Sequence, residues 1–138
     1  IETLISRNKK NRQLMMVSDF NGKKAITNYQ TIKVFNVKNI PKISLIECEL
    51  ETGRTHQIRV HLSDRGNPIF GDETYGNKEW NEKMNKAVGK MRPMLHSQEL
   101  EIEHPTTGKK HIFTAPIPKS DFKHFLNKII GEAEAKNY

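Results

Sequence analysis

The stretch ETGRTHQIRVHLSDRGNPIFGDETYG, Glu51 to Gly76, gathers more committed residue types than any other part of the chain. Gly53 follows the alternating run Ile43 to Leu50, where a residue free to take positive φ lets a strand end in a tight turn. Thr55 is placed to cap a helix, and neither Pro nor Gly interrupts the chain from Thr55 to Arg65. Within that helix Ile58 and Leu62 lie four apart and can face a core. Gly66 is positioned as the left-handed residue that ends the helix, and Pro68 prevents its resumption. His56 and Arg59, three apart, share a helix face with Gln57 one step round. Donors and positive charge therefore gather at a helix start, where free backbone N–H groups already favour anions.

Around this stretch the composition sets bounds. A chain of 138 residues is one domain's worth, enough for a core of its own. Lys and Arg outnumber Asp and Glu by 23 to 16, which points to a polyanionic partner, nucleic acid ahead of an anionic membrane. The lone Cys48 excludes an intrachain disulfide and any multi-cysteine zinc site, and fits the reducing cytoplasm. Alternating with Ile46 and Leu50, it reads as a small core residue rather than a nucleophile. No apolar run approaches bilayer-spanning length, and no charged-then-apolar leader opens the chain, so a soluble protein is expected. Because residue 1 is Ile rather than Met, the chain is expected to be a piece of a longer protein.

Upstream, Ile1 to Asn21 reads as strand pieces joined by the basic loop NKKNR. Asn21-Gly22 is a two-residue turn signal, and a hairpin is expected there. Lys23 to Phe35 then alternates as a strand, with Ile26, Ile32 and Val34 on one side and Ala25 and Tyr29 on the other. A loop through Asn39 and Pro41 leads to a further strand, Ile43 to Glu51. Downstream, Asn77 to Arg92 is a charged surface excursion with Trp80, Met84 and Val88 at helical spacing. Met94 to Glu103 alternates again, with Leu100 and Ile102 on a face expected to be buried. Thr107-Gly108 turns the chain back through His111 to Ala115. Ser120 can cap a last helix whose stripe of Phe122, Phe125, Leu126, Ile129 and Ile130 is a core face.

Several chemistries lack their signal. His56 and His61 are five apart, about 140° round a helix, with no HExxH and no cysteine pair, so no metal site is expected. GDETYGNK, Gly71 to Lys78, is one residue off a Walker A loop and carries Asp72 and Glu73 where phosphate would lie. There is no GxSxG elbow and no GxGxxG. The glycines and Pro68 of the loop serve its shape, its function or both. Lys9, Lys10, Arg12, Lys23 and Lys24 are either a solvated basic edge or phosphate contacts. Arg54, His56, Gln57 and Arg59 are either caps and salt bridges or a functional site, and their density beside a basic helix start favours the site.

Taken in order, TGRTHQIRVH, GNPIFGDETYG, Arg92 with Leu95-His96, Glu103-His104-Pro105 and Phe113-Thr114-Ala115-Pro116 resemble the C-terminal half of the RluA/RluD-type RNA pseudouridine synthases. Ile5-Ser6-Arg7 and GKKAITNY, Gly22 to Tyr29, fit the same family, so the resemblance covers nearly the whole chain. It implies an α+β fold with a mixed, largely antiparallel sheet flanked by helices, residues 1–138 forming the C-terminal portion of a single catalytic domain. It further implies isomerisation of uridine to pseudouridine in structured RNA, ribosomal or transfer, without a cofactor; no membrane is expected as partner, and no protein partner is implied. Arg59 matches the family arginine that pairs with the nucleophilic aspartate, keeping that carboxylate ionised and aimed. Arg54, His56 and Gln57 would shape the site and approach RNA phosphate, and Ile58 would line the base pocket.

One departure decides what the chain can do alone. The family aspartate sits in an HRLD-like motif followed by a Thr-Ser-Gly-like turn, and a tyrosine beside the uracil sits in a Lys-x-Tyr-like motif; neither is present. Asp19, Asp64, Asp72 and Asp121 all lack that context. Smaller departures are Ser97, where alanine usually follows Leu-His, and the insertion around Trp80. The expectation is a chain inactive by itself, with the nucleophile before Ile1. A non-catalytic RNA-binding module is the alternative, and a structural or protein-interaction role comes third.

Overall fold

Short alternating runs separated by polar loops build the first fifty residues into strands, and the rest follows in the computed structural model, which describes residues 1–36, 38, 40–131, 134, 137 and 138. The elements are β1 (Glu2–Arg7), β2 (Met15–Ser18), β3 (Lys23–Phe35), β4 (Ile43–Leu50), α1 (Gln57–Asp64), α2 (Lys78–Val88), β5 (Glu99–Glu103), β6 (Lys110–Thr114) and α3 (Phe122–Ile130). The fold is α+β. Ladders between described strands are all antiparallel. The chain divides into two units, Ile1–Pro93 and Met94–Tyr138.

In the first unit a four-stranded sheet runs in the order β2-β1-β3-β4. The expected hairpin at Asn21-Gly22 is therefore not there: β2 and β3 are not neighbours, because β1 lies between them. The Asn-Gly signal reports a tight change of direction, and here that change carries the chain across β1. Gly22, at φ 127°, passes so close that a Cβ would stand 2.5 Å from the Ile5 carbonyl oxygen, which only glycine permits.

Burial on β3 also departs from simple alternation. Ala25 and Thr27 are buried, while Ile32 and Val34 are exposed. Their spacing already puts these pairs on opposite faces; the departure is at Tyr29, which shares the Ala25 face by spacing yet is 45% exposed, and the ladder with β4 then shifts register between Thr31 and Lys33. Phe35 and Ile43, opposite each other and both buried, lie beyond that shift. The expected loop residue Asn39 falls outside the described residues. α1 packs across β2 and β3. Ile5, Ala25 and Val60 form the core there, with Met15, Val17 and Tyr75 against it.

The helix limits move as well. Thr55 does not cap α1; His56 is the N-cap residue, in the left-handed region at φ 57°, and Gly53 is not among the positive-φ residues. The turn is held instead by side chains, with Gln57 Oε1 accepting from Arg54 N and from Thr52 Oγ1. α1 buries Val60, His61 and Leu62, with Ile58 only half-buried. At its end Gly66 N donates to Ser63 O and Asn67 N to Leu62 O, the paired bonds that close a helix on a left-handed glycine. The region around Trp80 is the helix α2, capped by Asn77 Oδ1 and anchored by buried Met84.

In the second unit β5 and β6 form the expected hairpin. Leu100 and Ile102 do share a face, but it is exposed, at 55% and 44%. Alternation reports which residues share a face and is silent on whether anything covers it. Asp121, not Ser120, caps α3 through its carboxylate, and Phe125 and Leu126 are the buried part of that helix's stripe.

Candidate active site

Two elements meet at one guanidinium. α1 presents Arg59 on the side away from Val60, and the loop after α1 returns Asp72 to meet it. Arg59 Nε donates to Asp72 Oδ2 at 2.7 Å and Nη2 to Oδ1 at 2.8 Å, the bidentate geometry that matches a planar fork to a carboxylate. Tyr75 then lies under the same guanidinium, its ring centre 4.9 Å from Cζ.

Asp72 is itself immobilised. Its side chain has no solvent exposure, and Oδ1 also accepts from Thr74 N and Tyr75 N, both at 3.0 Å. Burial by itself would raise its pKa and is the largest influence; the bonds from Arg59, Tyr75 N and Thr74 N together outweigh it, and the net shift is downward. The carboxylate form of Asp72 is favoured. Arg59 is pushed further up by its bond to Asp72, with desolvation opposing, and remains a permanent cation.

α2 locks the loop that carries Asp72. Asn81 Nδ2 donates to Asp72 O, and Asn81 Oδ1 accepts from Gly71 N, each at 3.0 Å. Ser63 Oγ of α1 donates to Tyr75 O. Gly71 and Gly76 permit this closeness, since a Cβ would stand 2.1 Å from Arg92 O at the first and 1.9 Å from Asp72 O at the second.

His56 and Arg59, expected to share a face, are brought together by Tyr75. The Tyr75 hydroxyl accepts from Met15 N at 2.9 Å and stands 2.8 Å from His56 Nδ1, and the two rings meet edge to face. Gln57 stands apart from that face. It is 3% exposed, and its amide nitrogen donates to Ile26 O and Thr27 Oγ1. Thr27 Oγ1 continues to His61 Nδ1, and His61 Nε2 to Thr3 Oγ1. This polar chain ties α1 to the sheet beneath it; burial, chiefly, lowers the His61 pKa. Arg54 lies along β3, its Nε donating to Lys24 O.

What remains of Arg59 for chemistry is Nη1, which has no hydrogen-bond partner among the described residues. The side chain is 20% exposed and borders an open cleft of about 490 Å³ with Gly71, Glu73, Thr74, Lys90, Met91, Arg92 and Pro93, where Glu73 pairs with Lys90. A cation rigid on two sides and open on the third can hold and orient a second anion. Sequence reasoning had assigned Arg59 a carboxylate from outside this chain; inside the chain it already has Asp72. It also passed over Tyr75 and Asn81. An Asx turn at Asp72 was readable, since Asp-x-Thr-Tyr places two N–H groups within reach of its carboxylate, but no spacing rule names Arg59 as its target.

Comparison with known proteins bears on the chain as a whole. The family model for RNA pseudouridylate synthases matches residues 1–64. The chain is 40% identical over 137 residues to ribosomal large subunit pseudouridine synthase D of Neisseria meningitidis serogroup A, covering 96% of this chain and 35% of that protein. It is 41% identical over 121 residues to the protein of the same name in Zymomonas mobilis, covering 86% and 37%. These matches support an RluA/RluD-type RNA pseudouridine synthase family for the chain. A solved relative, human RNA pseudouridylate synthase domain containing 1, superimposes with a TM-score of 0.68 at 30% identity, covering 86% of this chain and 47% of the other. The chain thus spans about a third of the length of the curated synthases it matches. Among the described residues no helix is long and apolar enough to cross a membrane.

Proposed function

We propose that this chain forms the arginine-bearing wall of an active site that isomerises uridine to pseudouridine in structured RNA, ribosomal RNA first and transfer RNA second, in the cytoplasm. The observation that carries this reading is Arg59, locked by Asp72 and Tyr75 while it lines the open cleft. A guanidinium so held keeps a facing carboxylate ionised and aimed, as a nucleophile attacking the nucleotide requires. The base is flipped out of the stacked RNA, detached, turned and rejoined through carbon. Arg54 and His56 approach the RNA backbone, and Ile58 lines the base pocket. Gln57 serves as a positioning residue, holding the turn from which these side chains project.

Asp72 does not fill the nucleophile's role in this reading. Its oxygens already accept four hydrogen bonds, and its side chain is sealed from solvent. The nucleophile and the tyrosine beside the uracil belong to motifs that these 138 residues lack, so the chain alone is inactive. The test is pseudouridine formation on ribosomal and transfer RNA by the full-length protein and by this chain. Product from the full-length protein alone is expected. Turnover by the chain refutes its inactivity, and RNA binding without turnover by the full-length protein favours a non-catalytic RNA-binding module.

A further inference from the structure

At the end of the sheet where β1 turns into β2, a cavity of about 360 Å³ is lined by Ser6, Arg7, Asn8, Lys9, Arg12 and Asn21. None of these residues borders the Arg59 cleft. Three of the six are cations and none is a carboxylate. Lys9 and Arg12 make no ion pair among the described residues, and the acids nearest in sequence, Glu2 and Asp19, are exposed and outside the lining, Glu2 pairing instead with Lys24.

The loop holding these cations is ordered by its own bonds. Asn8 Oδ1 accepts from Lys10 N and Asn11 N, and Asn11 Oδ1 accepts from Gln13 N. Asn8 N donates to Leu14 O, and Arg7 Nη1 to Arg12 O. The second segment reaches the cavity through Asn21, because the crossover pinned at Gly22 brings it over β1. In that crossover Ser18 Oγ accepts from Phe20 N and Asn21 N and donates to Asn21 Oδ1. Phe20 is thereby held in solvent, 95% exposed, one residue from the cavity wall.

A rigid loop that exposes a whole phenyl ring beside unpaired cations has the two parts of a single-strand nucleic-acid contact, charge for the backbone and a flat apolar face for a base. We infer that the β1–β2 loop and the β2–β3 crossover form a second RNA-docking surface, with Lys9 and Arg12 holding phosphate and Phe20 stacking on an unpaired base. This rests on the reading of RNA as the substrate. It adds a contact that holds the RNA away from the site of chemistry, where it governs affinity rather than turnover.

The test is fluorescence anisotropy of this chain with a labelled RNA stem-loop carrying a single-stranded uridine tail, across a salt series. The Lys9→Ala/Arg12→Ala double variant is expected to weaken binding and to flatten the log affinity against log salt slope by roughly 1.5, two phosphate contacts' worth. Phe20→Ala is expected to weaken binding roughly tenfold with the slope unchanged, and Phe20→Trp to retain affinity. Lys83→Ala, whose ammonium pairs with Glu79 on α2, should bind as the parent does. All these side chains are exposed, and circular dichroism confirms folding. If the double variant or Phe20→Ala binds as tightly as the parent, the surface is refuted, while loss in Arg54→Ala would leave the Arg59 site standing as the RNA contact. A parent chain that fails to bind the probe refutes the RNA reading itself.

Discussion

Arg59 and Asp72 meet edge to edge, with two parallel bonds of 2.7 and 2.8 Å joining a fully buried carboxylate to a guanidinium that still reaches solvent. The asymmetry in burial assigns the roles. Asp72 is sealed in and multiply bonded, so it acts as a fixed counter-charge; Arg59 is the member that can touch something else.

Removing one partner of such a pair strands the other. Asp72→Ala leaves Arg59 without its anion and Thr74 N and Tyr75 N without an acceptor, and is expected to destabilise the chain by about 3–5 kcal/mol. Asp72→Asn keeps an acceptor for the two amides and is expected to lose less. Urea unfolding measures both, and equal losses would show that charge alone holds the loop.

Arg59 is expected to matter for turnover beyond its share of RNA binding. In the full-length protein Arg59→Ala should lower single-turnover pseudouridine formation by orders of magnitude while changing RNA affinity little. Arg59→Lys should rescue poorly, because an ammonium cannot make the fork to Asp72. Parallel loss of rate and affinity in Arg59→Ala would reduce the residue to a phosphate contact.

Tyr75 makes two separable contributions. Its hydroxyl serves Met15 N and His56 Nδ1, while its ring supports Arg59. Tyr75→Phe is expected to cost about 1–3 kcal/mol by leaving Met15 N without its partner, yet to leave the ring under Arg59. Tyr75→Leu removes both. Thermal unfolding checks the first effect, and the full-length protein's turnover checks the second. A turnover defect as deep in Tyr75→Phe as in Tyr75→Leu would place the function in the hydroxyl.

Much of this arrangement was legible beforehand, and the limits of that legibility are physical. Strands β1 to β4 and the end of α1 at Gly66 follow from spacing, which local backbone geometry obeys, whereas His56 precedes α1 in the left-handed region and meets Arg59 through Tyr75 instead of by helical spacing. Thr55 as cap failed because Gln57, two residues on, folds back to hold the turn. The Asn21-Gly22 hairpin failed because a turn dipeptide fixes direction and leaves open which strand becomes the neighbour. Asp72 as partner of Arg59 was out of reach because a loop of thirteen residues has no period, and its path is set by Gly71, Gly76 and Asn81 acting together.

His61 makes stability depend on pH. Burial first, and the Ile1 ammonium second, hold its pKa below the ordinary 6.5, with Asp64 pulling weakly back. The unfolded chain takes up a proton near that value and the folded chain resists it. The contribution is therefore complete above pH 6.5 and declines as pH falls through it toward the folded value. Asp72, lowered from 3.8, acts in the same sense only further down, with its share present above 3.8 and lost below. Urea midpoints measured against pH should fall in both windows, and His61→Gln should flatten the upper one alone. An unchanged upper slope in that variant would assign the proton to another group.

Gly71 and Gly66 separate backbone conformation from crowding. Both have positive φ, 76° and 77°, so alanine at either must adopt the left-handed region. That cost is common to the two, about 1–2 kcal/mol. At Gly66 nothing lies within 4 Å of the new methyl, whereas at Gly71 it meets the Arg92 carbonyl oxygen at 2.1 Å, a contact with backbone that no rotamer relieves. Gly71→Ala must therefore push the loop off Arg92 and, through Gly71 N and Asn81, disturb the seat of Asp72. It is expected to be more destabilising than Gly66→Ala by a margin that unfolding experiments resolve, and to impair turnover in the full-length protein where Gly66→Ala does not. Equal destabilisation would mean that the Asp72 loop shifts without cost, and the rigid seat argued for Arg59 would fall with it.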